Sequence, residues 1–338
     1  MKYKKVFLIL IPFLLLNLSV VGQQADSSVP VFAYHRFGDD RYPSTNVEMD
    51  IFRQQLQYLK DNDYTVLSLG EALEALDSKV LPDKAVVLTV DDGYESFYTN
   101  AFPVLKEFGY PVTIFINTDL VGGKSFMSWQ QLKDIHEAGM EIGNHSHSHP
   151  HFVNAANPRL TFKEDVSKAQ ELFEKHLGFQ PDLFSYPYGE YTQEIAAKAR
   201  DMGFKAATAQ RSGVLGISTN RYAIPRFPMG GPFATMRGFR SKIKMKPLDV
   251  KMIKPAGTLD YQSEIISFSI ETPIHESTIQ CFVDGTKQKV ESRGDGFVVK
   301  MPSSADRRIL ITITAQGKNS GSWHWYSYLL INKEMDEE

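Results

Sequence analysis

Ala85-Val86-Val87-Leu88-Thr89-Val90-Asp91-Asp92-Gly93 runs six mostly apolar, β-branched residues into two carboxylates and a glycine. A run this short and this apolar reads as a strand buried on both faces, the kind a parallel sheet carries under its helices. Open α/β sheets and barrels keep their chemistry at the carboxyl ends of such strands, which is where Asp91 and Asp92 stand. Taken alone, Asp-Asp-Gly is more often a turn, because Asp and Gly both suit turn geometry. Its weight comes from what surrounds it.

From about Val31 to Phe227 short apolar runs alternate with amphipathic stretches, the pattern of an α/β domain. Pro30 to Tyr34, Val112 to Asn117, Met140 to Asn144 and Lys205 to Ala209 are expected as strands beside Ala85 to Val90. Phe52, Leu56 and Leu59 share one helical face, and Ser68 with Glu71 and Ser128 with Gln131 fit capping boxes. Gly109 and Gly139 stand where helices should stop. Longer helices are expected over Phe162 to Leu177, ended by Gly178, and over Thr192 to Met202, closed by Gly203.

Past Lys244 the helical period disappears. Lys246-Pro247 and Lys254-Pro255-Ala256-Gly257 read as a linker over residues 246–258, after which strand alternation takes over. Ile266, Phe268 and Ile270 alternate with serines, Ile279 to Val283 runs into the hairpin signal Asp284-Gly285, and Phe297 to Met301, Ile309 to Thr314 and Trp323 to Ile331 follow. Residues 259–338 are therefore expected to form a small all-β sandwich.

The chain has 338 residues, about twice the usual ~150-residue domain, and its 42% hydrophobic content supplies core for two units. Its 37 Lys and Arg balance 40 Asp and Glu with no sustained basic face, which excludes a nucleic-acid partner. The single cysteine, Cys281, excludes an intrachain disulfide and a structural zinc site of several thiolates. A metal here must be held by histidines and carboxylates. At the amino terminus Lys2, Lys4 and Lys5 precede the apolar run Val6 to Leu16, which is shorter than the ~20 residues of a spanning helix. Residues 1–22 read as a secretory signal cut near Gly22, which makes the mature protein, from residue 23, periplasmic or secreted with no membrane span; an uncleaved anchor is the alternative.

Four of the nine histidines fall in Asn144-His145-Ser146-His147-Ser148-His149-Pro150-His151, directly after an expected strand. His145 and His149 are four apart, a spacing that lets two imidazoles face one point; a solvated His-rich loop is the bland alternative. One Asp with two His makes a three-ligand set with an open position for water, and the neighbouring Asp can act as general base. Phe184-Ser185-Tyr186-Pro187-Tyr188-Gly189 stops a strand at a rigid turn that can aim a backbone N–H into a cleft, as an oxyanion hole requires.

The order and spacing of these three segments resemble the polysaccharide deacetylases with a NodB homology domain, carbohydrate esterase family 4. Thr89 to Gly93 resembles the family's Thr-Phe-Asp-Asp-Gly, His145 to His149 its His-Ser/Thr-x-x-x-His, and Ser185 to Gly189 its Arg-x-Pro-Tyr-Gly. The likeness covers roughly residues 30 to 230. It implies an α/β fold, a deformed (β/α) barrel of the NodB type ahead of the β sandwich, with the catalytic domain over 23–245. It also implies metal-dependent removal of N-acetyl groups from an amino-sugar polymer, with Asp91 as base, Asp92, His145 and His149 as metal ligands, and the Tyr188 backbone N–H on the oxyanion. Zinc suits these ligands best, with cobalt, nickel and iron compatible.

Three features depart from the common pattern: Ser185 stands where an Arg is usual, no Asp-x-x-x-Trp follows, and no late Leu-x-x-His supplies the acid. They match the branch resembling poly-β-1,6-N-acetylglucosamine deacetylases, in which an early Tyr-His supplies that acid; Tyr34-His35 stands in its place. Arg226, in Ile224-Pro225-Arg226-Phe227-Pro228, resembles the arginine that orients the catalytic Asp there. Trp129, Tyr186 and Tyr191 are candidates for stacking on sugar rings, although Trp129 better fits packing at a helix start. Trp323, Trp325, Tyr326 and Tyr328 give the β domain either a docking surface or a glycan-binding one. The expected activity is that of a secreted deacetylase acting on an N-acetylated polysaccharide; a noncatalytic glycan binder and an O-acetyl esterase are the alternatives, and a glycosidase would not need the His-rich motif.

Overall fold

The computed structural model describes residues 28–304, 306–319 and 321–335, so the expected signal segment lies outside the described residues. The first part of the chain alternates strands and helices. β1 (Ser28–Tyr34) leads to α1 (Met49–Asp61), β2 (Thr65–Leu67), α2 (Leu69–Asp77), β3 (Ala85–Val90), α3 (Phe102–Phe108) and β4 (Thr113–Ile116). α4 (Trp129–Glu137), β5 (Glu141–Asn144), α5 (Pro158–Leu177), β6 (Leu183–Ser185), α6 (Gln193–Asp201) and β7 (Ala206–Thr208) follow, then β8 (Val214–Gly216), β9 (Phe227–Pro228) and α7 (Met236–Lys242). The strands lie in the order β8-β1-β3-β4-β5-β6-β7, with β2 beside β3 and β9 beside β1. All these pairings are parallel except that of β8 with β1.

What curls this sheet into a deformed barrel is the segment 221–229. Ile224 N–H donates to Ala207 and Ala209 N–H donates back to Ile224, each at 2.9 Å, so the segment pairs with β7. Three residues on, Phe227 pairs with Phe32 of β1, and Met229 N–H donates to the Ala33 carbonyl at 2.8 Å. One short stretch thus bridges the last strand to the first.

Local chemistry explains the elements. All six residues of β3 are buried, as a strand covered on both faces requires. Both expected capping boxes form, and Gly109 and Gly178 close their helices in the left-handed conformation at φ 68° and 81°. α1 buries Gln55 along with Phe52, Leu56 and Leu59; the Gln55 carbonyl accepts from the Tyr34 hydroxyl at 2.8 Å, which offsets the cost of burying an amide.

The remainder is strand-rich: β10 (Lys246–Pro247), β11 (Val250–Lys254), β12 (Ile265–Ile270), β13 (Gln280–Val283), β14 (Thr286–Gln288), β15 (Val290–Arg293), β16 (Gly296–Lys300), β17 (Arg308–Gln316) and β18 (Trp323–Ile331). Sheets β10-β18-β17-β13-β14 and β11-β12-β16-β15 enclose Ile266, Phe268, Cys281, Val283, Ile311, Ile313 and Leu330. Asp284 and Gly285, at φ 47° and 76°, turn the β13–β14 hairpin as the sequence predicts.

The expected linker over 246–258 is corrected by the structure. Lys246–Pro247 pairs with β18, and Val250 and Met252 of β11 pack against the sandwich core, so the chain enters the second unit without a spacer. The Pro and Gly that suggested a linker lie just beyond β11. The five-stranded sheet is a middle layer with two buried faces. From β18, Tyr326, Tyr328 and Leu330 face the sandwich core, while Leu329 and Ile331 pack into the barrel's helix layer and Trp325 against Phe227, with ring centroids 5.5 Å apart. Trp325 Nε1 donates to Ser212 Oγ at 3.0 Å. No helix among the described residues is long and apolar enough to cross a membrane.

This joint predicts unequal sensitivity along one strand. Leu329→Ala should destabilise the protein by about 2–5 kcal/mol in urea unfolding. Trp323→Ala, on the same strand but 37% exposed, should stay within about 0.5 kcal/mol. Equal effects would contradict the middle-layer role of β18.

Candidate active site and metal centre

The pairing of β1 with β3 brings His35 and Asp91 together, since Asp91 N–H donates to the Tyr34 carbonyl at 2.9 Å. Asp91 is 4% exposed and Arg226 2%. Arg226 grips the carboxylate with both ends of its guanidinium, Nη1 to Oδ1 and Nη2 to Oδ2, each at 2.7 Å. Its other donors reach Thr89 Oγ1 and Ser185 Oγ, both at 3.1 Å. Burial alone would push the Asp91 carboxyl up; the Arg226 charge, helped by His145 and His35, outweighs it and holds the group below the usual carboxylate range.

Asp92 leaves in another direction. At φ 72°, followed by Gly93 at 78°, the backbone turns back, and the Asp92 carboxylate meets the histidines instead of Arg226. The histidine loop is tied at several points. Ser146 N–H donates to Asn144 Oδ1 at 2.7 Å, His149 N–H to Ser146 Oγ at 3.0 Å, and His147 N–H to Asp165 Oδ1 of α5 at 2.7 Å. Ser146 and His149 both have positive φ, 71° and 53°. Non-glycine residues in this region carry strain, and four of them, Asp92, Ser146, His149 and Tyr188, are linked through His149, which contacts each of the other three.

His145 Nδ1 lies 2.7 Å from the Ser185 carbonyl, which can only accept, so Nδ1 carries a proton and, in the neutral ring, Nε2 presents a lone pair. His145 Nε2 is 3.4 Å from Asp92 Oδ1, His149 Nε2 is 3.6 Å from it, and the two Nε2 atoms are 3.2 Å apart. Ligands ~2.0–2.1 Å from a tetrahedral ion are roughly 3.3–3.4 Å apart, so the three separations fit the edges of such a centre. Burial, and after it the neighbouring His145, push the His149 imidazole down to about 4. Burial works against charge on His145 too, but the Asp92 hydrogen bond and the two carboxylates outweigh it and raise that group. Asp92 stays ionised: the His145 hydrogen bond and the histidine charges outweigh its burial. Among the described residues Asp92, His145 and His149 are the one group of three His and acidic side chains close enough together to hold a metal ion, with ligand atoms all within 4.8 Å of one another.

His35 is half-buried at the end of β1, close enough to act electrostatically on both Asp91 and Asp92. Tyr188, at φ 57° in the turn Pro187–Gly189, sets its ring 4.6 Å from that of His149. His147 points away, with Nδ1 2.9 Å from Thr118 Oγ1, and His151 turns to Glu190. The aromatic expectations need correction. Tyr186 is fully buried with its hydroxyl donating to the Tyr222 carbonyl, Tyr191 stacks on it at 5.2 Å, and Trp129 lies flat on His176 at 4.4 Å. Tyr186 and Tyr191 are packing residues, since a buried ring face offers no platform for sugar, and the half-buried Trp129 packs against the barrel core at the start of α4. Missed from the sequence was Arg36, whose guanidinium lies between the rings of Tyr42 and Tyr94 at 3.7 and 3.4 Å beside the Asp92 turn. Tyr42 is near it in sequence, but Tyr94 comes from beyond β3, so no local motif marks the group. The anchor Asp165 was also missed, being one acid among many on the surface of α5.

Comparison with known proteins identifies a family for this chain. A family profile described as polysaccharide deacetylase matches residues 78–207. A putative polysaccharide deacetylase, YxkH of Bacillus subtilis, is 28% identical over 207 residues, spanning 61% of this chain and 73% of its own. The poly-beta-1,6-N-acetyl-D-glucosamine N-deacetylase of Escherichia coli K12 is 29% identical over 53% of this chain, which covers only 33% of that protein. The solved structure of IcaB from Ammonifex degensii superposes with a TM-score of 0.55 at 30% identity, over 59% of this chain and 90% of that one.

Two outcomes test the site. Arg226→Met leaves a buried carboxylate unpaired and should cost about 3–5 kcal/mol in urea unfolding, of which adding Asp91→Asn should restore a large part. No restoration would mean that Arg226 acts by packing alone. In zinc titration followed by calorimetry, His149→Ala should weaken binding at least about tenfold, while Asp91→Asn leaves the stoichiometry unchanged.

Proposed function

We infer, from the chain's membership of the polysaccharide deacetylase family and from its site, that it removes N-acetyl groups from a polymer of β-1,6-linked N-acetylglucosamine outside the cytoplasm. The observation that carries this reading is the convergence of Asp92, His145 and His149 beside a second carboxylate, Asp91, that Arg226 keeps ionised. A protein that only gripped glycan would need neither. The substrate is supported by the relatives named for that polymer, and by Tyr34-His35 and Arg226, which resemble that branch. Action outside the cytoplasm is supported by the basic and then apolar start of the chain.

A divalent ion, zinc by the character of its ligands, would polarise the acetamide carbonyl and acidify the attacking water. Asp91 takes a proton from that water as its oxygen bonds to the carbonyl carbon. The Tyr188 backbone N–H donates to the oxygen on which negative charge gathers. His35, at the end of β1, gives a proton to the sugar nitrogen as the carbon–nitrogen bond breaks, because an amide anion is too basic to leave. Acetate and a free amine result. Arg226 stays charged throughout and fixes Asp91, so the base cannot turn away between cycles.

The test is acetate release from β-1,6-linked N-acetylglucosamine oligomers. Release should stop with chelator and return with zinc. Asp91→Asn should lower kcat by about 10²–10⁴ while zinc remains bound. A chelator-insensitive rate, or one that survives in Asp91→Asn, would overturn the assignment; release from acetylated xylan but not from the amide substrate would turn the reading to an ester.

A further inference from the structure

The turn that carries Tyr188 is held from the strand-rich unit. Glu190, two residues beyond it, has no exposed side-chain surface, and its partner Arg307 comes from the residue just before β17. Arg307 Nε donates to Glu190 Oε1 at 2.9 Å and Nη2 to Oε2 at 2.8 Å. The rest of the guanidinium is also engaged, Nη1 with the Met335 carbonyl at 2.9 Å and Nη2 with Asn154 Oδ1 at 3.1 Å. Next to it, Arg308 Nη1 donates to the Tyr188 carbonyl at 3.3 Å. His151 completes the cluster: its Nδ1 is 3.0 Å from Glu190 Oε2, and its ring lies flat on that of Tyr188, centroids 3.7 Å apart and planes 8° from parallel.

Tyr188 needs such support. Its φ of 57° is one that a side-chain-bearing residue keeps only where its surroundings impose it. Gly189 behind it is confined as well, for a Cβ there would lie 2.1 Å from the Gln210 backbone nitrogen. Relaxation of Tyr188 to an ordinary φ would swing its N–H away from the cleft.

We propose that Arg307 and Arg308 are positioning residues for deacetylation: from the carboxy-terminal sheets they clamp Glu190 and the Tyr188 carbonyl and so hold the Tyr188 N–H on the reacting carbonyl. This rests on the role given to that N–H above. It makes the second unit a working part of the active site, which a fastening between layers would not be. The fastening is the rival, and Ser327 serves as its control: its hydroxyl donates to the Ser212 carbonyl across the same joint, away from the turn.

The test combines steady-state acetate release with amide hydrogen exchange on the zinc-loaded protein. Arg308→Ala, at the edge of the cluster, backs up Arg307→Ala in case the buried variant does not fold. Both should speed exchange in peptides over 186–191 and leave 144–149 and zinc content unchanged. Both should lower kcat about ten- to a hundredfold, with KM within about twofold of the parent. Ser327→Ala should move neither readout. Unchanged kcat in the folded variants, or an equal loss in Ser327→Ala, overturns the proposal. Should the parent release no acetate from any acetylated glycan, the functional reading fails by itself; unchanged exchange over 186–191 in the variants would then still refute the clamp.

Discussion

Asp91 is an anion kept out of water, and much of the barrel follows from what that requires. A buried carboxylate is tolerated only where its charge is matched and its oxygens are hydrogen-bonded. Arg226 meets both conditions with one planar group, and the group must arrive from a fixed direction. It arrives on the segment 221–229, the piece of chain that joins β7 to β1. The interaction that keeps Asp91 ionised and the one that closes the barrel are therefore carried by the same few residues.

Ser185 now has a physical explanation. Ser185 is fully buried and its hydroxyl accepts from the Arg226 guanidinium that holds Asp91, so an arginine at this position would be set beside the same carboxylate. A second guanidinium would compete for the same carboxylate and bring like charges together in a space without water. The small residue at 185 and the arginine at 226 are one arrangement. Ser185 also serves the metal ligands, since its carbonyl fixes the His145 tautomer. The base and the ligands are thus referred to one short strand, β6, so that a shift of either is felt by both.

Features set by neighbours in sequence were legible. Ala85–Val90 is the strand expected, Ser68 and Ser128 cap their helices, and Asp284-Gly285 turns its hairpin, because each is decided within a few residues. The convergence of Asp92, His145 and His149 was legible for a similar reason: they stand at or just past strand ends, and register carries strand ends to a common rim. What escaped depends on distant partners. Tyr186 and Tyr191 looked available to sugar because nothing nearby shows that helices cover them. Val250 and Met252 were lost in an expected linker because the sheet they join lies more than a dozen residues further on. Arg307 and Glu190 are 117 residues apart, and a single Arg in a loop carries no period by which to find it.

His35 and Arg226, the two residues that resemble the branch rather than the common family pattern, share a place in the fold. His35 follows β1, and Arg226 precedes β9, which pairs with β1 in parallel. They lie at opposite ends of the barrel's chain yet reach the same carboxylate, since closure brings those ends together. A barrel that keeps its base and metal ligands on the inner strands can draw its remaining groups from whichever end of the chain closes onto them. A motif expected late in the sequence can then be supplied early, with no change in the arrangement of charges around Asp91. The chemistry constrains positions in space, and chain order is free to vary wherever strand pairing restores them.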